Sequence, residues 1–313
     1  MSYRDAAGRP LIAIVSVGGL FPGSSALDEF WSNVVAGRDC SSEVPPGRWL
    51  LSAKEAYHSE IGKHDHVYST RGYFLPDIPL DTAGLMVDAD LLQHLDPSVH
   101  LAIHIARQAW DAAITSHVDP RRAGVVFGHI ALPTESVSRL AREILESLFL
   151  AGSAGTPTTH ALNRQVAGLP AIMAAKALGL GLGGLALDAA CASSLYALKL
   201  SVDALQSGRA DAMIAGGLSR PDCLYTQMGF AQLQALSRSG RCSPFDAAAD
   251  GLVVGEGGGA VVLKRLDDAI LHGDDVLGVI AGIGLSNDRA GNLLAPASEG
   301  QLRAMRAAYL SAN

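Results

Sequence analysis

Short apolar runs recur along this chain and are separated by segments with helical periodicity. They lie at residues 11–17, 124–128, 185–187 and 212–215, and the first two are rich in β-branched side chains. Apolar runs of this length are typical of strands that are buried on both faces of a sheet. Because such strands alternate with helices, the chain should fold into an α/β layered architecture.

The helices are predicted by start signals and by apolar residues on one face. Residues 96–98 supply Asp, Pro and Ser, which favour a helix start, and apolar side chains then recur through Ala112. After Cys191, apolar residues at helical spacing predict a second helix that stops at residues 207–209. Further helices are expected over residues 26–35, over a segment ending at Lys176, and over 300–312.

Glycines and prolines set the expected ends of these elements. The glycines at 18–19 should end the first strand, and residues 251–264 predict two strands around a glycine turn. Another strand is expected over 276–283. Residues 37–90 contain prolines, many charges and no clean period, which predicts a long irregular surface insertion, and residues 151–159 predict a loop.

Charge and cysteine content argue against several classes of protein. The formal net charge is −7 and no Lys/Arg run occurs, which argues against a nucleic-acid surface. Residues 1–10 lack the apolar segment of a signal peptide. The most apolar stretch, 166–200, contains charged residues, so a buried αβ segment is favoured over a membrane span. Four distant cysteines without a C-x-x-C pattern argue against disulfides or a thiolate metal site, and favour a cytoplasmic enzyme with free thiols.

One cysteine lies where a strand should give way to a helix. Residues 188–195 read DAACASSL, so Cys191 falls at the predicted helix N-terminus. Free N–H groups and the helix dipole stabilise a thiolate there and can hold a developing oxyanion. Ala190, Ala192 and Ser193 are small enough to leave room for a substrate. The alternative reading of this position is a small buried cysteine in an alanine-rich packing layer.

Several further segments form an ordered set with DAACASSL. They are IAIVSVGGLFPG at 12–23, NR at 163–164, DAMIAGG at 211–217, GRCSPFD at 240–246, ADG at 249–251, GEGGGAVVLK at 255–264, ND at 287–288, AP at 295–296 and GQ at 300–301. Each is short, but together they cover almost the whole chain in a fixed order. In this combination the chain resembles the β-ketoacyl synthases (ketosynthases) of polyketide and polyunsaturated-fatty-acid synthases.

The resemblance implies a thiolase-like fold, in which two similar α/β halves form a layered αβαβα sandwich. The N-terminal half would be complete, with a ketoacyl synthase N-terminal domain over residues 8–265. The C-terminal half would be truncated, with only its start over residues 274–313. The resemblance also implies a homodimer, other domains of a multidomain synthase, and an acyl carrier protein as partner. No metal or organic cofactor is implied beyond the phosphopantetheine arm of the carrier.

The implied reaction has two stages. Cys191 first takes an acyl group from the carrier thioester, with Ala190, Ala192 and Ser193 next to the oxyanion. A malonyl-type extender then loses carbon dioxide, and its carbanion attacks the acyl-cysteine. Arg241 and Asp246 would pin a loop over this site, and Glu256 would be structural, bonded to nearby backbone. Gln227, Met228 and Phe230 would line the acyl pocket, and the alternative for each of them is an ordinary core position.

Histidines are where the match is weakest. Neither of the family's two histidine motifs occurs in residues 1–313, so these residues should form an acyl-cysteine slowly and should not complete condensation. His100 and His104 have the spacing of a metal pair, but no glutamate follows His100 and no third ligand is evident, which favours a structural role. His64 and His66 predict a solvated turn.

Two rival functions stand beside the ketosynthase. A thiolase-type enzyme would share a similar cysteine segment and act on coenzyme A thioesters, but residues 241–246 and 255–264 favour the ketosynthase. A catalytically incomplete fragment would act only as a dimerisation partner, although retention of Cys191 argues against a dedicated inactive partner. Residues 83–88 (AGLMVD) favour an iterative or polyunsaturated-fatty-acid type of synthase over a modular one.

Overall fold

The computed structural model describes residues 3–76, 78, 80–149, 157–291 and 296–312. Most of the loop predicted over 151–159 therefore lies outside the described residues. The strands are β1 (Ile12–Leu20), β2 (Ser42–Glu43), β3 (Arg71–Gly72), β4 (Ala123–Gly128), β5 (Gly184–Leu187), β6 (Ala212–Ser219), β7 (Gly257–Arg265) and β8 (Gly278–Ile280). The α-helices are α1 (Leu27–Val35), α2 (Ala53–Ala56), α3 (Ala89–Gln93), α4 (Pro97–Ala112), α5 (Glu135–Phe149), α6 (Leu169–Ala177), α7 (Ser193–Gln206), α8 (Cys223–Gln232), α9 (Leu266–His272) and α10 (Ser298–Ala312).

A six-stranded mixed sheet forms the centre of the molecule, in the order β5-β4-β6-β7-β1-β8. Strands β4, β5 and β6 are parallel, so that Val126 lies opposite both Leu185 and Ala215. Strand β7 runs antiparallel to β6 and β1, and β8 runs antiparallel to β1. The carboxyl ends of β4, β5 and β6 therefore meet at one edge of the sheet, the usual place for a site in such folds.

Two hydrophobic clusters cover opposite faces of this sheet. Successive side chains of a strand point to opposite faces, and along β4 Val125 and Phe127 join one cluster while Val126 joins the other. The first cluster contains residues of α4 and α6, and the second contains residues of α7. These helix, sheet and helix layers correspond to one half of the sandwich expected from sequence. None of the helices in the described residues is both long and apolar enough to cross a membrane.

The structure corrects two expectations about glycine. Strand β1 does not end at residues 18–19 but continues to Leu20, because Gly18 lies against α4: a Cβ at Gly18 would be 2.3 Å from the Ile105 carbonyl oxygen. Residues 251–264 do not form two strands around a turn, since Gly257–Arg265 is a single strand. A glycine on the neighbouring strand β6 allows close backbone approach to it, as a Cβ at Gly216 would be 2.0 Å from the Gly259 carbonyl oxygen.

Other segments match or extend the sequence predictions. The helices expected from residues 26, 97, 193 and 300 are confirmed as α1, α4, α7 and α10. The insertion over 37–90 is largely irregular, although it contains α2, the start of α3 and the small β2–β3 sheet. Helices α5, α8 and α9 were not predicted. The strand expected over 276–283 is reduced to β8.

Candidate active site

Cys191 lies in a tight turn between β5 and α7, at the helix N-terminus predicted from sequence. A 3₁₀ turn, Ala190–Ala192, joins the two elements, and the Ala192 N–H donates to the Ala189 carbonyl oxygen at 3.1 Å. Ala190 has a φ of +48°, which is unusual for a residue with a side chain. This turn leaves the Cys191 side chain exposed. The alternative of a buried packing cysteine is therefore wrong for this structure.

Ser193 holds the turn together through its hydroxyl. The Ser193 Oγ accepts the N–H of Ala189 at 2.9 Å and donates to the carbonyl oxygen of Ala190 at 2.6 Å. Ser193 is 7% exposed. Its hydroxyl is thus committed to the backbone that precedes Cys191, and its effect on the site is to fix this geometry.

Two glycines let the first turn of α7 approach the sheet. A Cβ at Gly128, the last residue of β4, would be 2.6 Å from backbone atoms of Ser193 and Ser194. A Cβ at Gly217, in the neighbouring strand β6, would be 3.1 Å from the Ser194 Cβ. Backbone contacts this close require glycine. The position of Cys191 relative to the sheet therefore depends on residues that lie far from it in sequence.

A cavity of about 850 Å³ opens beside Cys191 on the face of the sheet that α7 partly covers. Side chains of β1, β6 and β7, including Ile14, Ala215 and Val261, give it a largely apolar wall. Ala190, Cys191 and Ser193 line it, whereas Ala192 does not. An apolar cavity next to an exposed thiol can hold an acyl chain whose carbonyl carbon lies at the sulfur.

The residues assigned to the acyl pocket lie elsewhere. Gln227 is 1% exposed, and its Nε2 donates to the carbonyl oxygens of Ser69 and Arg71 at 2.7 and 3.2 Å. Met228 and Phe230 pack against a third hydrophobic cluster beneath the 37–90 insertion. None of these three residues lines the cavity at Cys191. Helix α8 was not predicted, and its packing against a distant segment decides where these side chains point.

Glu256 borders the cavity, but its carboxylate is directed into a buried ionic cluster. One oxygen contacts the guanidinium groups of Arg48 and Arg220, the latter at 3.1 Å, and the other accepts the N–H of Leu75 at 2.8 Å. Arg48 also lies 3.2 Å from Glu135. Burial raises the pKa of Glu256, and the nearby Arg48 opposes that shift. These contacts support the structural role predicted for Glu256.

Arg241 and Asp246 do not pair with each other in the described structure. Both are exposed, and Asp246 accepts the nearby N–H of Ala248 at 2.8 Å. The loop is instead held by Asp250, which accepts the Ser237 hydroxyl at 2.5 Å and the Ser239 N–H at 2.8 Å. The expectation that Arg241 and Asp246 pin a loop over Cys191 is wrong here, because residues 238–250 do not line the cavity.

The histidines considered as metal ligands make local contacts instead. His100 Nε2 lies 2.7 Å from the Leu92 carbonyl oxygen, and burial lowers the pKa of His104. His66 Nδ1 contacts the His64 carbonyl oxygen at 2.7 Å in an exposed turn. Within the described ranges, no cluster of three or more His, Cys, Asp or Glu could hold a metal ion.

His129, which directly follows β4, was not predicted from any sequence pattern. It is 3% exposed, and burial lowers its pKa, although a hydrogen bond with the Ala167 carbonyl group partly offsets the shift. Its neighbours Gly128 and Ile130 line the cavity, whereas His129 does not. The imidazole is instead directed to the Ala167 carbonyl oxygen, which lies 3.3 Å from Nδ1.

Comparisons with known proteins found a family model and relatives that match most of the chain. The family model described as "Beta-ketoacyl synthase, N-terminal domain" matches residues 10–269. A component of the phenolphthiocerol/phthiocerol polyketide synthase of Mycobacterium tuberculosis is 32% identical over 301 residues, which are 93% of this chain and 18% of that protein. The mycoketide-CoA synthase of the same species is 32% identical over 96% of this chain and 7% of its own length. The chain therefore spans less than a fifth of these curated relatives.

Solved structures show the same fold. The structure described as "PfaC Keto synthase-Chain length factor" matches with a TM-score of 0.87 and 34% identity, over 97% of this chain and 34% of its own. The ketosynthase from module 6 of the bacillaene synthase of Bacillus subtilis 168 matches with a TM-score of 0.76 and 26% identity, over 96% of this chain and 48% of its own.

Proposed function

The chain belongs to the β-ketoacyl synthase family and has its thiolase-like fold, and on that premise we propose that Cys191 is the residue that accepts the acyl chain. One observation carries this proposal: an exposed thiol lies at a helix N-terminus and opens onto an apolar cavity of about 850 Å³. The other exposed cysteine, Cys242, does not line that cavity. Burial raises the pKa of Cys223 to about 11, which keeps that thiol protonated and unreactive.

In the proposed reaction, the Cys191 thiolate attacks the carbonyl carbon of an acyl thioester. A carbon–sulfur bond forms, and the carbonyl electrons move to oxygen. N–H groups at the start of α7 have no intrahelical acceptor and stabilise that oxyanion. Collapse of the intermediate breaks the original carbon–sulfur bond and releases the donor thiol. In the second stage a malonyl-type extender loses carbon dioxide, its carbanion forms a carbon–carbon bond with the acyl carbonyl carbon, and the bond from that carbon to sulfur breaks to return the Cys191 thiolate. Residues 1–313 are expected not to complete this stage by themselves, because neither histidine motif occurs in them.

We assign the donor to an acyl carrier protein, whose phosphopantetheine arm presents the thioester. The relatives are polyketide synthases, which supports placing this chain among other domains of a synthase. The apolar cavity is compatible with an acyl chain. We place the reaction in the cytoplasm, where thiols remain reduced.

We further propose that two copies associate through the edge strand β5. In the sheet order, β5 has β4 on one side and no strand of the described residues on the other. Leu185 on this strand is 52% exposed and the nearby Leu182 is 47% exposed. An exposed apolar edge is a ready site for pairing with another strand, and pairing with an identical strand would give a twofold dimer.

The function can be tested by comparing acyl donors. The chain is incubated with one labelled acyl group presented either on a carrier protein or on coenzyme A, and the initial rate of transfer to protein is measured. We expect transfer from the carrier to be faster and to disappear in Cys191→Ala. Faster transfer from coenzyme A would favour a thiolase-type enzyme, and transfer from neither donor would contradict the proposal.

A further inference from the structure

The carboxylate of Asp188 joins two loops at the edge of the sheet that carries Cys191. Its Oδ1 accepts the N–H of Ala190 at 2.9 Å, and its Oδ2 accepts the N–H of Ala131 at 3.0 Å. Ala190 directly precedes Cys191, whereas Ala131 belongs to the segment that follows β4. One side chain therefore connects the nucleophile turn to a second, separate piece of backbone.

The bond to Ala190 acts on the strained residue of the turn. The φ of +48° at Ala190 is disfavoured because Cβ approaches the following carbonyl oxygen. Such a conformation persists only where surrounding contacts hold it. The Asp188 carboxylate holds the Ala190 N–H, and the Ser193 hydroxyl holds the Ala190 carbonyl group. Both ends of the strained residue are thereby fixed next to Cys191.

The bond to Ala131 acts on a second segment that lines the cavity. The His129 N–H donates to the Leu187 carbonyl oxygen at 3.0 Å, so the chain after β4 stays beside the end of β5. Ile130, between His129 and Ala131, lines the cavity with Cys191. Asp188 therefore helps to set how far Ile130 lies from the sulfur.

The carboxylate remains ionised in this arrangement. The N–H groups of Ala131 and then Ala190 lower the pKa of Asp188, and the nearby His129 acts in the same direction. An ionised carboxylate is a pure acceptor and can serve both N–H groups at once. An asparagine can accept from only one of them, because its other terminal atom is a donor.

We propose that Asp188 is a positioning residue that keeps Cys191 at the N-terminus of α7 by bonding Ala190 and Ala131. The inference rests on the proposed role of Cys191 as nucleophile. Asp188 does not line the cavity, and it acts through the backbone. It therefore differs from a residue that contacts the substrate.

An electrostatic role and a positioning role of Asp188 predict opposite changes in the rate of Cys191 alkylation when Asp188 is replaced. If Asp188 acted only as a nearby negative charge, its removal would favour the Cys191 thiolate and speed alkylation. If Asp188 positions the turn, removal allows Ala190 to relax, and Cys191 leaves the helix N-terminus. Alkylation would then slow, more in Asp188→Ala than in Asp188→Asn, which retains one acceptor.

The test measures iodoacetamide alkylation of the purified chain at fixed pH, with peptide mass spectrometry to resolve each cysteine. We expect the rate constant at Cys191 to fall about tenfold in Asp188→Ala and by less in Asp188→Asn. Alkylation of Cys242 in the same samples should not change. A rate at Cys191 that is unchanged or higher in both variants would overturn the proposal.

Asp119→Asn is the matched control. The Asp119 carboxylate likewise accepts the N–H of the residue two positions ahead, Arg121, in a surface turn that does not line the cavity. Its substitution should leave alkylation of Cys191 unchanged. Iodoacetamide needs no acyl donor. The alkylation rates of the variants can therefore support or contradict the role of Asp188 whatever the donor comparison shows about the proposed function.

Discussion

Gly128 is the residue at which β4 touches the first turn of α7. Replacing it with alanine should lower the free energy of unfolding by about 1–3 kcal/mol, because the new Cβ would lie 2.6 Å from backbone that cannot move without displacing Cys191. Chemical denaturation measures the loss, and alkylation of Cys191 should slow in the same variant. Unchanged stability would mean that α7 does not approach β4 this closely.

Gly229→Ala provides the contrast. Gly229 lies within α8, and a Cβ added there would meet no atom within 4 Å. Alanine is favoured over glycine inside a helix, so this variant should gain roughly 0.5–1 kcal/mol in unfolding free energy. A loss at both glycines would indicate a general intolerance of substitution.

His129 should make the stability of the protein fall on acidification. Burial lowers its pKa below the ordinary 6.5, so the unfolded chain takes up a proton that the folded chain resists. Stability is therefore fully present above pH 6.5 and is lost as the pH falls towards the folded-state pKa, by at most about 1.4 kcal/mol per pH unit. In His129→Asn, denaturation measured over this range should show a shallower slope.

His64→Asn tests whether the change of unfolding free energy with pH arises from a buried histidine. The His64 side chain is 94% exposed, so its substitution should leave the pH dependence as it is in the parent protein. A slope that is equally steep in the parent protein and in His129→Asn would contradict the assignment to His129.

At the scale of elements, a buried ion pair connects β7 to the ends of two helices. Lys264 Nζ on β7 contacts Asp274, which follows α9, at 2.7 Å, and both side chains are 1% exposed. Lys264 also donates to the carbonyl oxygen of Ile114, just after α4, and Asp274 accepts the Ile114 N–H. The pair thus fixes α4 and α9 relative to the sheet.

Lys264→Met should destabilise the fold by about 3–5 kcal/mol, because it leaves the Asp274 carboxylate buried without its counter-ion. Thermal and denaturant unfolding measure the loss. The matched control is Lys199→Met, which removes a part-exposed pair with Asp203 on α7 and should cost well under about 1 kcal/mol. Equal losses in the two variants would argue against a buried role for Lys264.

The sequence predicted those elements whose signals are local. Apolar runs predicted β4 and β6, and periodic apolar faces predicted α4 and α7. Each of these signals depends on residues that are close together in the chain. The extent of β1 and β7 was not predictable in this way. Their glycines resemble turn residues, and only contacts with α4 and β6 show that they serve close packing.

The candidate site also contains some residues that local sequence signals predict and others that depend on distant contacts. Cys191, Ala190 and Ser193 were predictable because a strand-to-helix turn is encoded within a few residues. The pocket assignments at Gln227, Met228 and Phe230 were not, since the packing of α8 on the 37–90 insertion sets their direction. The second contact of Asp188, to Ala131, joins residues far apart in sequence and appears only when β4 and β5 are adjacent.

At the scale of the whole molecule, the proposed dimer depends on β5. Leu185→Asp should shift the protein towards monomer, because it places a charge on an apolar edge that another copy would bury. Sedimentation velocity at several concentrations measures the change. Leu271→Asp, on α9 and 78% exposed, should leave the association state as it was. A Leu185→Asp variant that associates like the parent protein would place the interface elsewhere.

The role of Cys191 as nucleophile is tested most directly by finding where an acyl group attaches. The protein is incubated with an acyl-carrier thioester, digested, and each cysteine peptide is weighed by mass spectrometry. We expect the added acyl mass on the peptide containing Cys191, with Cys223 unmodified and no acylation in Cys191→Ala. Acylation of Cys242 in preference to Cys191, or equal acylation in Cys191→Ala, would contradict the assignment of Cys191 as the nucleophile.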